Sequence, residues 1–224
     1  MNSYRIYTGL AMILRMLVRQ RIALILLAVI PAVFLSIVEF TTSEKVLPFR
    51  LASLNKEVFV DINGRGISLI FLAVASAGFL VSFLALNLIQ KNSGVNRRLV
   101  ICGYNPIELM ISILLSLFLM ISFIGIYVGL LTNAFFSIKH LTAFILGLVL
   151  IGFVYGCYGL VVGSVINGEL EGILLIVLLV NIDAGWLQNP LFYAEAQNQA
   201  IIKYLPAYFP SQTAIISAFT DYSA

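Results

Sequence analysis

The residues of this chain with the clearest potential for chemistry lie in a short polar stretch between two apolar runs. Residues 90–106 read QKNSGVNRRLVICGYNP, and they separate an apolar run at 67–89 from a second run that begins at Ile107. Arg97 and Arg98 supply two adjacent positive charges, which can pair with acidic side chains of a soluble partner or with anionic lipid. The predicted role of this stretch is therefore to bind a partner or lipid rather than to catalyse a reaction. The alternative is an ordinary basic loop that only orients the chain.

The same stretch predicts a short helix. Residues 96–101 can form about two helical turns. Gly94 can break or cap the end of the preceding span, and Gly103 with Pro106 can stop the short helix and start the next span. A short helix at the membrane surface can dock in a groove of a soluble partner. The residues predicted to make that contact are Asn92, Gly94, Asn96, Arg97, Arg98 and Leu99.

Composition places this stretch in a membrane protein. The 224-residue chain is 61% hydrophobic and 10% charged, and its mean hydropathy is +1.05. A soluble domain is nearer half apolar and a quarter charged. Apolar stretches of about eighteen residues or more recur, and each can cross about 30 Å of hydrocarbon as a helix. A β-barrel would instead show alternating segments of roughly ten residues. The prediction is an all-α polytopic membrane protein that forms a single domain over residues 1–224.

The apolar runs predict five spans. An amphipathic helix with apolar residues at helical spacing precedes the first span, and it is expected to lie in the membrane interface. A polar loop at 40–66 follows the first span, and the tail carries prolines that favour short outer helices. The predicted boundaries are 1–21 for the amphipathic helix, 22–39, 67–89, 107–131, 141–166 and 172–187 for the spans, 90–106 for a cytoplasmic connector and 188–224 for an outer re-entrant region.

Lysines and arginines predict a cytoplasmic N-terminus. In that orientation seven of the 13 lysines and arginines lie inside, in short segments, and four of those seven precede the first span. Basic residues in short segments set orientation, and the first span usually dominates. The first apolar run is not followed by a small-x-small cleavage site, so it is predicted as a retained span rather than a signal peptide.

Several chemistries lack the residues that they need. The sequence has no G-x-x-x-x-G-K-[ST] loop, so the chain itself is not expected to bind ATP. Its one histidine and two cysteines, Cys102 and Cys157, are too scattered for a metal site, and both thiols are expected to stay reduced. A serine protease would pair Ser164 with His140, but these residues are predicted at opposite membrane faces. We expect no enzyme activity, no metal and no nucleic-acid partner. A channel would need a ring of charges or a carbonyl filter, and neither is visible in the sequence.

A second group of candidates lies in the fourth and fifth spans and beyond them. Two G-x-x-x-G patterns predict close helix packing, either within the chain or at a dimer seam. Asn181, Asp183 and Trp186 are predicted either to cap the fifth span at the outer interface or to line a translocation path or outer gate. Three outer aromatic residues either anchor the chain at the interface or form that gate. The glycines are Gly152, Gly156, Gly159 and Gly163, and the aromatic residues are Tyr204, Tyr208 and Phe209.

The layout of these segments resembles a known family. Gly94, followed by a basic and apolar stretch that ends in Arg98-Leu99, and then the sequence YNPIE at 104–108, resembles the permease subunits of ABC transporters of the ABC-2 type, the type-2 exporters. The order is similar too: amphipathic helix, long outer loop, coupling helix between spans two and three, tight turn between spans four and five, outer re-entrant helices. Residues 205–212 (LPAYFPSQ) look like the proline-containing stretch before the last span of those permeases. The resemblance covers nearly the whole chain and rests mostly on layout.

The resemblance implies a working unit of two permeases and two ABC ATPase subunits in a bacterial inner or plasma membrane. The partner ATPase would bind ATP and Mg²⁺, and the connector helix would transmit its closure to the spans. The second permease would be identical or a paralogue, and the expected substrate is amphipathic: a drug, peptide, lipid or glycolipid. The alternative is a membrane scaffold or assembly subunit without transport of its own, in which Arg97 and Arg98 matter only for topology.

Two features depart from the family pattern. Members usually carry acids just before and after the glycine of the coupling region, where this chain has Gln90, Asn92 and Arg97. A salt-bridge network is therefore not carried over. Family permeases have six spans, and a sixth would be expected to begin where this sequence ends.

Overall fold

The computed structural model describes residues 3–43, 46–52, 57–166, 168–187 and 202–220. Helices dominate these residues. In chain order the elements are α1 (Ser3–Arg19), α2 (Arg21–Thr41), β1 (Val46–Ala52), β2 (Glu57–Asn63), α3 (Gly64–Gln90), α4 (Ser93–Ile101), α5 (Pro106–Phe135), α6 (Leu141–Val165), α7 (Glu169–Val180), a π-helical segment (Asn181–Leu187) and α8 (Tyr208–Phe219).

Four of the described helices are long and apolar enough to cross a membrane. They are α3, α5, α6 and residues 24–41 of α2, and they overlap the first four predicted spans. Within its apolar window α3 is 61% buried, whereas α2 is only 17% buried. Because α3 is enclosed by other helices and α2 is not, α3 is the centre of the bundle and α2 lies at its edge. The four apolar helices indicate an integral membrane protein.

The predicted fifth span at 172–187 differs from the first four. Here the structure has the 12-residue helix α7, which continues into the seven-residue π-helical segment. Glu169 and Glu171 lie in the first turn of α7, where the positive end of the helix dipole favours acids. The region is helical as predicted, but it is not one continuous α-helix of span length. Of the predicted outer region at 188–224, the structure describes 202–220, which contains α8.

The polar loop predicted at 40–66 contains a β-hairpin, so the all-α prediction was incomplete. Strands β1 and β2 pair antiparallel from Val46 opposite Asn63 to Ala52 opposite Glu57. Strand β2 is rich in β-branched and aromatic residues, which favour strands, whereas β1 has only Val46 and Phe49 of these types and contains Pro48. Charged residues interrupt these short runs in the sequence, and this obscured the strand pattern.

An ion pair at the base of the hairpin joins α2 to α3. Arg65 Nη1 lies 3.1 Å from Glu39 Oε1, and Arg65 Nε donates to the Thr42 carbonyl at 3.3 Å. The Asn63 side chain accepts from the Arg65 amide at 3.2 Å and so caps α3. The hairpin therefore leaves and rejoins the bundle at one fixed point.

Glycines let α6 approach α3 and α5 closely. A Cβ on Gly159 would overlap the Ser82 carbonyl oxygen and lie 2.7 Å from the Ala85 Cβ. Conversely, a Cβ on Gly78 of α3 would overlap the ring of Tyr155, which is fully buried. The four glycines of the predicted strip are all buried and face side chains of α3 and α5 in the same chain, and these glycines are Gly152, Gly156, Gly159 and Gly163.

The bundle has two distinct ends. We call the end with α4, Ile166 and Gly168 the connector end, and the end with β1, β2 and residues 136–140 the hairpin end. Helix α8 packs at the hairpin end of α6, because the His140 amide donates to the Ser217 carbonyl at 3.0 Å and a Cβ on Gly147 would lie 2.9 Å from the Ala214 nitrogen.

Replacing Gly159 by alanine tests the close approach of α3 and α6. The added methyl group meets a backbone carbonyl, so one helix must shift, and we expect destabilisation of about 1–3 kcal/mol. The measurement is thermal unfolding of the purified protein in detergent.

Gly94→Ala is the matched control, since nothing lies within 4 Å of a Cβ at that position. It should leave the melting temperature unchanged or raise it slightly, because alanine is the better helix former by roughly 0.5–1 kcal/mol. Equal melting temperatures for the two variants would contradict the packing.

Candidate functional site

Helix α4 is an exposed element at the connector end. None of its residues is buried. Arg97 and Arg98 are exposed, and so are the apolar side chains Val95, Val100 and Ile101. An exposed surface that combines cations with apolar side chains is typical of a protein-docking face rather than of a solvated loop.

The C-terminus of α4 is closed by a glycine cap. Gly103 has φ +89°, and the Tyr104 amide donates back to the Leu99 carbonyl at 3.0 Å, as in helices that end on a left-handed residue. The Asn105 side chain then caps α5, and Pro106 occupies its first turn. The stop at Gly103 and the restart at Pro106 agree with the sequence prediction.

Gly94 does not have the predicted role. It was expected to break or cap the second span, but α3 ends at Gln90 and Gly94 lies within the first turn of α4. Lys91 and Asn92 link the two helices with right-handed dihedral angles, so the turn needs no residue with positive φ. Asn92 precedes α4 without a side-chain cap hydrogen bond.

Leu99 anchors α4 to the bundle. It is half-buried and packs against a small apolar cluster drawn from three other helices. The buried members of this cluster are Ile13 and Leu17 of α1, Leu88 of α3, and Leu109 and Ile113 of α5. Helix α4 is thus largely exposed and contacts this cluster through Leu99.

Polar contacts bind α1 to the beginning of α5. The Tyr104 hydroxyl donates to the Arg5 carbonyl. The Ser112 hydroxyl lies 3.1 Å from the Ile6 carbonyl and 2.8 Å from the Glu108 carbonyl. Gly9 permits the approach, because a Cβ there would lie 2.7 Å from Ser112 Oγ. The predicted interfacial helix therefore also packs on the bundle.

Sequence reasoning missed these α1 contacts. A single glycine within an otherwise regular amphipathic helix was the available signal, because a glycine there costs helix stability unless another backbone comes close.

The Gln90 side chain links the end of α3 to Ile166, which follows α6, and to Gly168, which precedes α7. Its Nε2 donates to the Ile166 carbonyl at 2.9 Å and to the Gly168 carbonyl at 3.4 Å. Lys91 Nζ lies 3.9 Å from Glu169 Oε1, with both side chains about half exposed, so that ion pair contributes little. Gln90, an amide that donates to two backbone carbonyls, therefore occupies a position at which ABC-2 permeases usually carry an acid.

The structure separates Asn181 from Asp183. Asn181 is exposed, and its Nδ2 donates to the Val177 carbonyl of its own helix at 2.9 Å. Asp183 is 6% exposed, and it interacts electrostatically with Tyr155 and Tyr158 of α6. Tyr155 is near the middle of α6, so Asp183 lies deeper in the bundle than the cap at the outer interface that was one of the two predictions for it. Of Trp186 the structure describes the main chain only, so the predicted role of its side chain lies outside the described part.

The three outer aromatic residues have different surroundings. Tyr204 and Phe209 are exposed, whereas Tyr208 is buried at the start of α8. The rings of Tyr208 and Phe209 meet edge to face with centroids 5.3 Å apart. These side chains do not share one surface, so only part of the set can face a common path.

No group of three potential metal ligands comes together among the residues that the structure describes. Cys102 and Cys157 are both free and exposed.

Removing the hydroxyl groups that hold α1 tests this contact. Tyr104→Phe combined with Ser112→Ala should raise hydrogen exchange of the α1 amides about tenfold or more, since each hydrogen bond contributes about 0.5–1.5 kcal/mol. Ser122→Ala in the same helix is the control, because that hydroxyl bonds only to the Phe118 carbonyl of α5 itself, at 3.0 Å. Unchanged exchange in the double variant would show that the hydroxyls do not hold α1.

No family model matches this chain, and no curated protein or solved structure matches it. The likeness to ABC-2 permeases therefore rests on the order and composition of the segments of this chain.

Proposed function

We propose that this chain is the permease subunit of an ATP-driven exporter of the ABC-2 type. It would lie in a bacterial inner or plasma membrane with the connector end in the cytoplasm. The observation that carries the proposal is the combination in α4 of an exposed outer face with one packed side chain, Leu99, against a cluster drawn from α1, α3 and α5. A passive loop needs neither feature.

The contacts suggest how a push on α4 would travel. The outer face of α4, with Arg97 and Arg98, docks on a cytoplasmic ABC ATPase. Movement of α4 then displaces Leu99 and the cluster beneath it, which belongs to α1, α3 and α5. Because Gln90 hydrogen-bonds the Ile166 and Gly168 carbonyls, the same movement reaches α6 and α7. The partner ATPase binds ATP and Mg²⁺ and supplies the energy.

The exposed apolar helices suggest the rest of the assembly. Large apolar side chains of α2 and α5 face outward along much of both helices, among them Phe34, Phe118 and Phe123. Lipid and a second permease, identical or paralogous, would cover these faces. Among the described residues the buried acids are Glu108 and Asp183. So sparsely charged an interior favours an amphipathic substrate such as a drug, peptide, lipid or glycolipid over a small ion.

The first experiment is gentle extraction of the tagged chain from its native membrane, followed by mass spectrometry of stoichiometric partners. A soluble ATPase with Walker motifs is expected. A clean preparation that hydrolyses no ATP in lipid would sink the proposal and favour a scaffold subunit.

Neutralising the two arginines of α4 should weaken the ATPase contact. Arg97→Ala with Arg98→Ala removes two charge-assisted contacts of about 1.5–3 kcal/mol each, so we expect binding to the ATPase to fall about tenfold or more. Co-purification and ATP hydrolysis in proteoliposomes measure this. Lys203→Ala, an exposed cation outside the connector, is the control. Unaltered ATPase binding in the double variant would argue that these arginines only orient the chain.

Cys102 reports the orientation directly. In a Cys157→Ser background, a membrane-impermeant maleimide should label Cys102 in inverted vesicles and not in intact cells, because α4 is proposed to be cytoplasmic. Ser43→Cys in a chain without the native thiols is the opposite control, since Ser43 is exposed near the hairpin end. The reverse labelling pattern would place α4 outside and exclude contact with a cytoplasmic ATPase.

A further inference from the structure

The elbow between α1 and α2 forms an open cavity that coupling to an ATPase does not use. Its volume is about 690 Å³. The residues that line it are Arg19, Gln20, Arg21, Ile22, Leu26 and Lys91.

The polar side of this elbow cavity is strongly positive. Arg19 and Arg21 are exposed, and neither makes an ion pair within the described part of the chain. Lys91 faces one acid, Glu169, at 3.9 Å, and 49% of the Lys91 side chain stays exposed. Three cations against one exposed carboxylate leave an excess of positive charge, which an anion can neutralise.

The helix ends at this elbow carry partial charges of both signs. Helix α2 begins here, and its first backbone N–H groups lack partners within the helix and carry partial positive charge. Helix α1 ends at Arg19 and α3 ends at Gln90, and their last carbonyl groups carry the opposite partial charge. The excess positive charge of the cavity therefore comes from the side chains of Arg19, Arg21 and Lys91.

The other side of the cavity is apolar. Ile22 is 76% exposed and Leu26 is 49% exposed, and the apolar segment 24–41 begins between them. The cavity therefore lies at the boundary between the headgroup layer and the hydrocarbon. A free phosphate ion would contact only its polar side, whereas a phospholipid satisfies both sides.

We propose that the elbow cavity binds one anionic phospholipid. Its phosphate lies among Arg19, Arg21 and Lys91, and the beginning of an acyl chain lies along Ile22 and Leu26. Because Lys91 follows the last residue of α3, the lipid bridges the α1–α2 elbow to the central helix. This binding needs no ATPase, so it does not depend on the proposed function.

The experiment is native mass spectrometry of the full chain released from phosphatidylcholine nanodiscs that contain a minor fraction of phosphatidylglycerol. The wild-type chain should retain phosphatidylglycerol well above its share of the nanodisc lipid. Arg19→Gln with Arg21→Gln should lower its apparent affinity about tenfold or more, because each arginine loses a charge-assisted hydrogen bond to the lipid phosphate.

Arg5→Gln with Arg15→Gln is the matched control. It removes the same charge from exposed positions of α1 that do not line the cavity, so the retained lipid should change by less than about threefold. Equal losses in the two double variants would mean diffuse attraction without a site, and would overturn the proposal. Thermal unfolding of both variants checks that each is folded.

A competition arm separates lipid from free phosphate. Excess inorganic phosphate should leave the bound phosphatidylglycerol in place, since phosphate cannot use Ile22 and Leu26. Full displacement by inorganic phosphate would show that the cavity is a phosphate site and not a lipid site. Conversely, Glu169→Gln removes the carboxylate paired with Lys91 and should raise lipid retention. A fall in lipid retention would contradict the proposed contact of Lys91 with the lipid phosphate.

Discussion

The close approach of α3 and α6 is the constraint on which the other contacts depend. In a membrane, lipid tails are as apolar as the side chains, so helices associate through shape rather than through the hydrophobic effect. Gly159 brings α6 onto the Ser82 carbonyl, and Gly78 makes room in α3 for the Tyr155 ring. This reciprocal fit fixes the position of α6 along α3. The connector-end contacts of Gln90 with the Ile166 and Gly168 carbonyls follow from it, as does the place of Tyr155 beside Asp183.

Several hydroxyl groups inside the bundle find their partners within their own helix. The hydroxyls of Ser82, Ser116 and Thr132 each donate to the carbonyl four residues earlier, at 2.6–2.7 Å. An unpaired polar group in hydrocarbon costs several kcal/mol, and these bonds avoid that cost without linking helices. Other polar contacts join distant segments at both ends and between them: Tyr104 to Arg5 and Gln90 to Ile166 at the connector end, Tyr127 of α5 to the Ala28 carbonyl of α2 at 2.6 Å, and Arg65 to Glu39 at the hairpin end. Directional bonds therefore link the helices along the bundle, whereas packing at glycines sets how closely α6 approaches α3.

The connector end combines two proposed contacts within one connected layer. Helix α4 faces outward and contacts the cluster of α1, α3 and α5 side chains through Leu99, while the elbow of α1 and α2 presents its cations beside Lys91 at the end of α3. A lipid in the elbow and an ATPase on α4 would thus both act on α1 and α3. The hydrogen bonds of Tyr104 and Ser112 link α1 to the beginning of α5, so a shift at one proposed contact would displace residues near the other. Such coupling would be geometric and would require no long pathway of side chains.

Local patterns in the sequence were sufficient for the apolar helices, the stop at Gly103 and the restart at Pro106, because span hydropathy and helix caps depend on neighbouring residues. The strands at 46–52 and 57–63 were not predicted, since charged residues interrupt their apolar pattern. The place of Gly94 inside α4 was not predicted either, because a glycine does not always end a helix. Only the tertiary structure decided which helices pack against the glycine strip of α6. It also decided that Asp183 is buried while Asn181 is exposed, and that Lys91 lines the same cavity as Arg19 and Arg21. Residues that bond across 76 or 99 positions of the chain are chosen by the complementary shapes of whole helices. The spacing of residue types along the sequence does not predict those shapes.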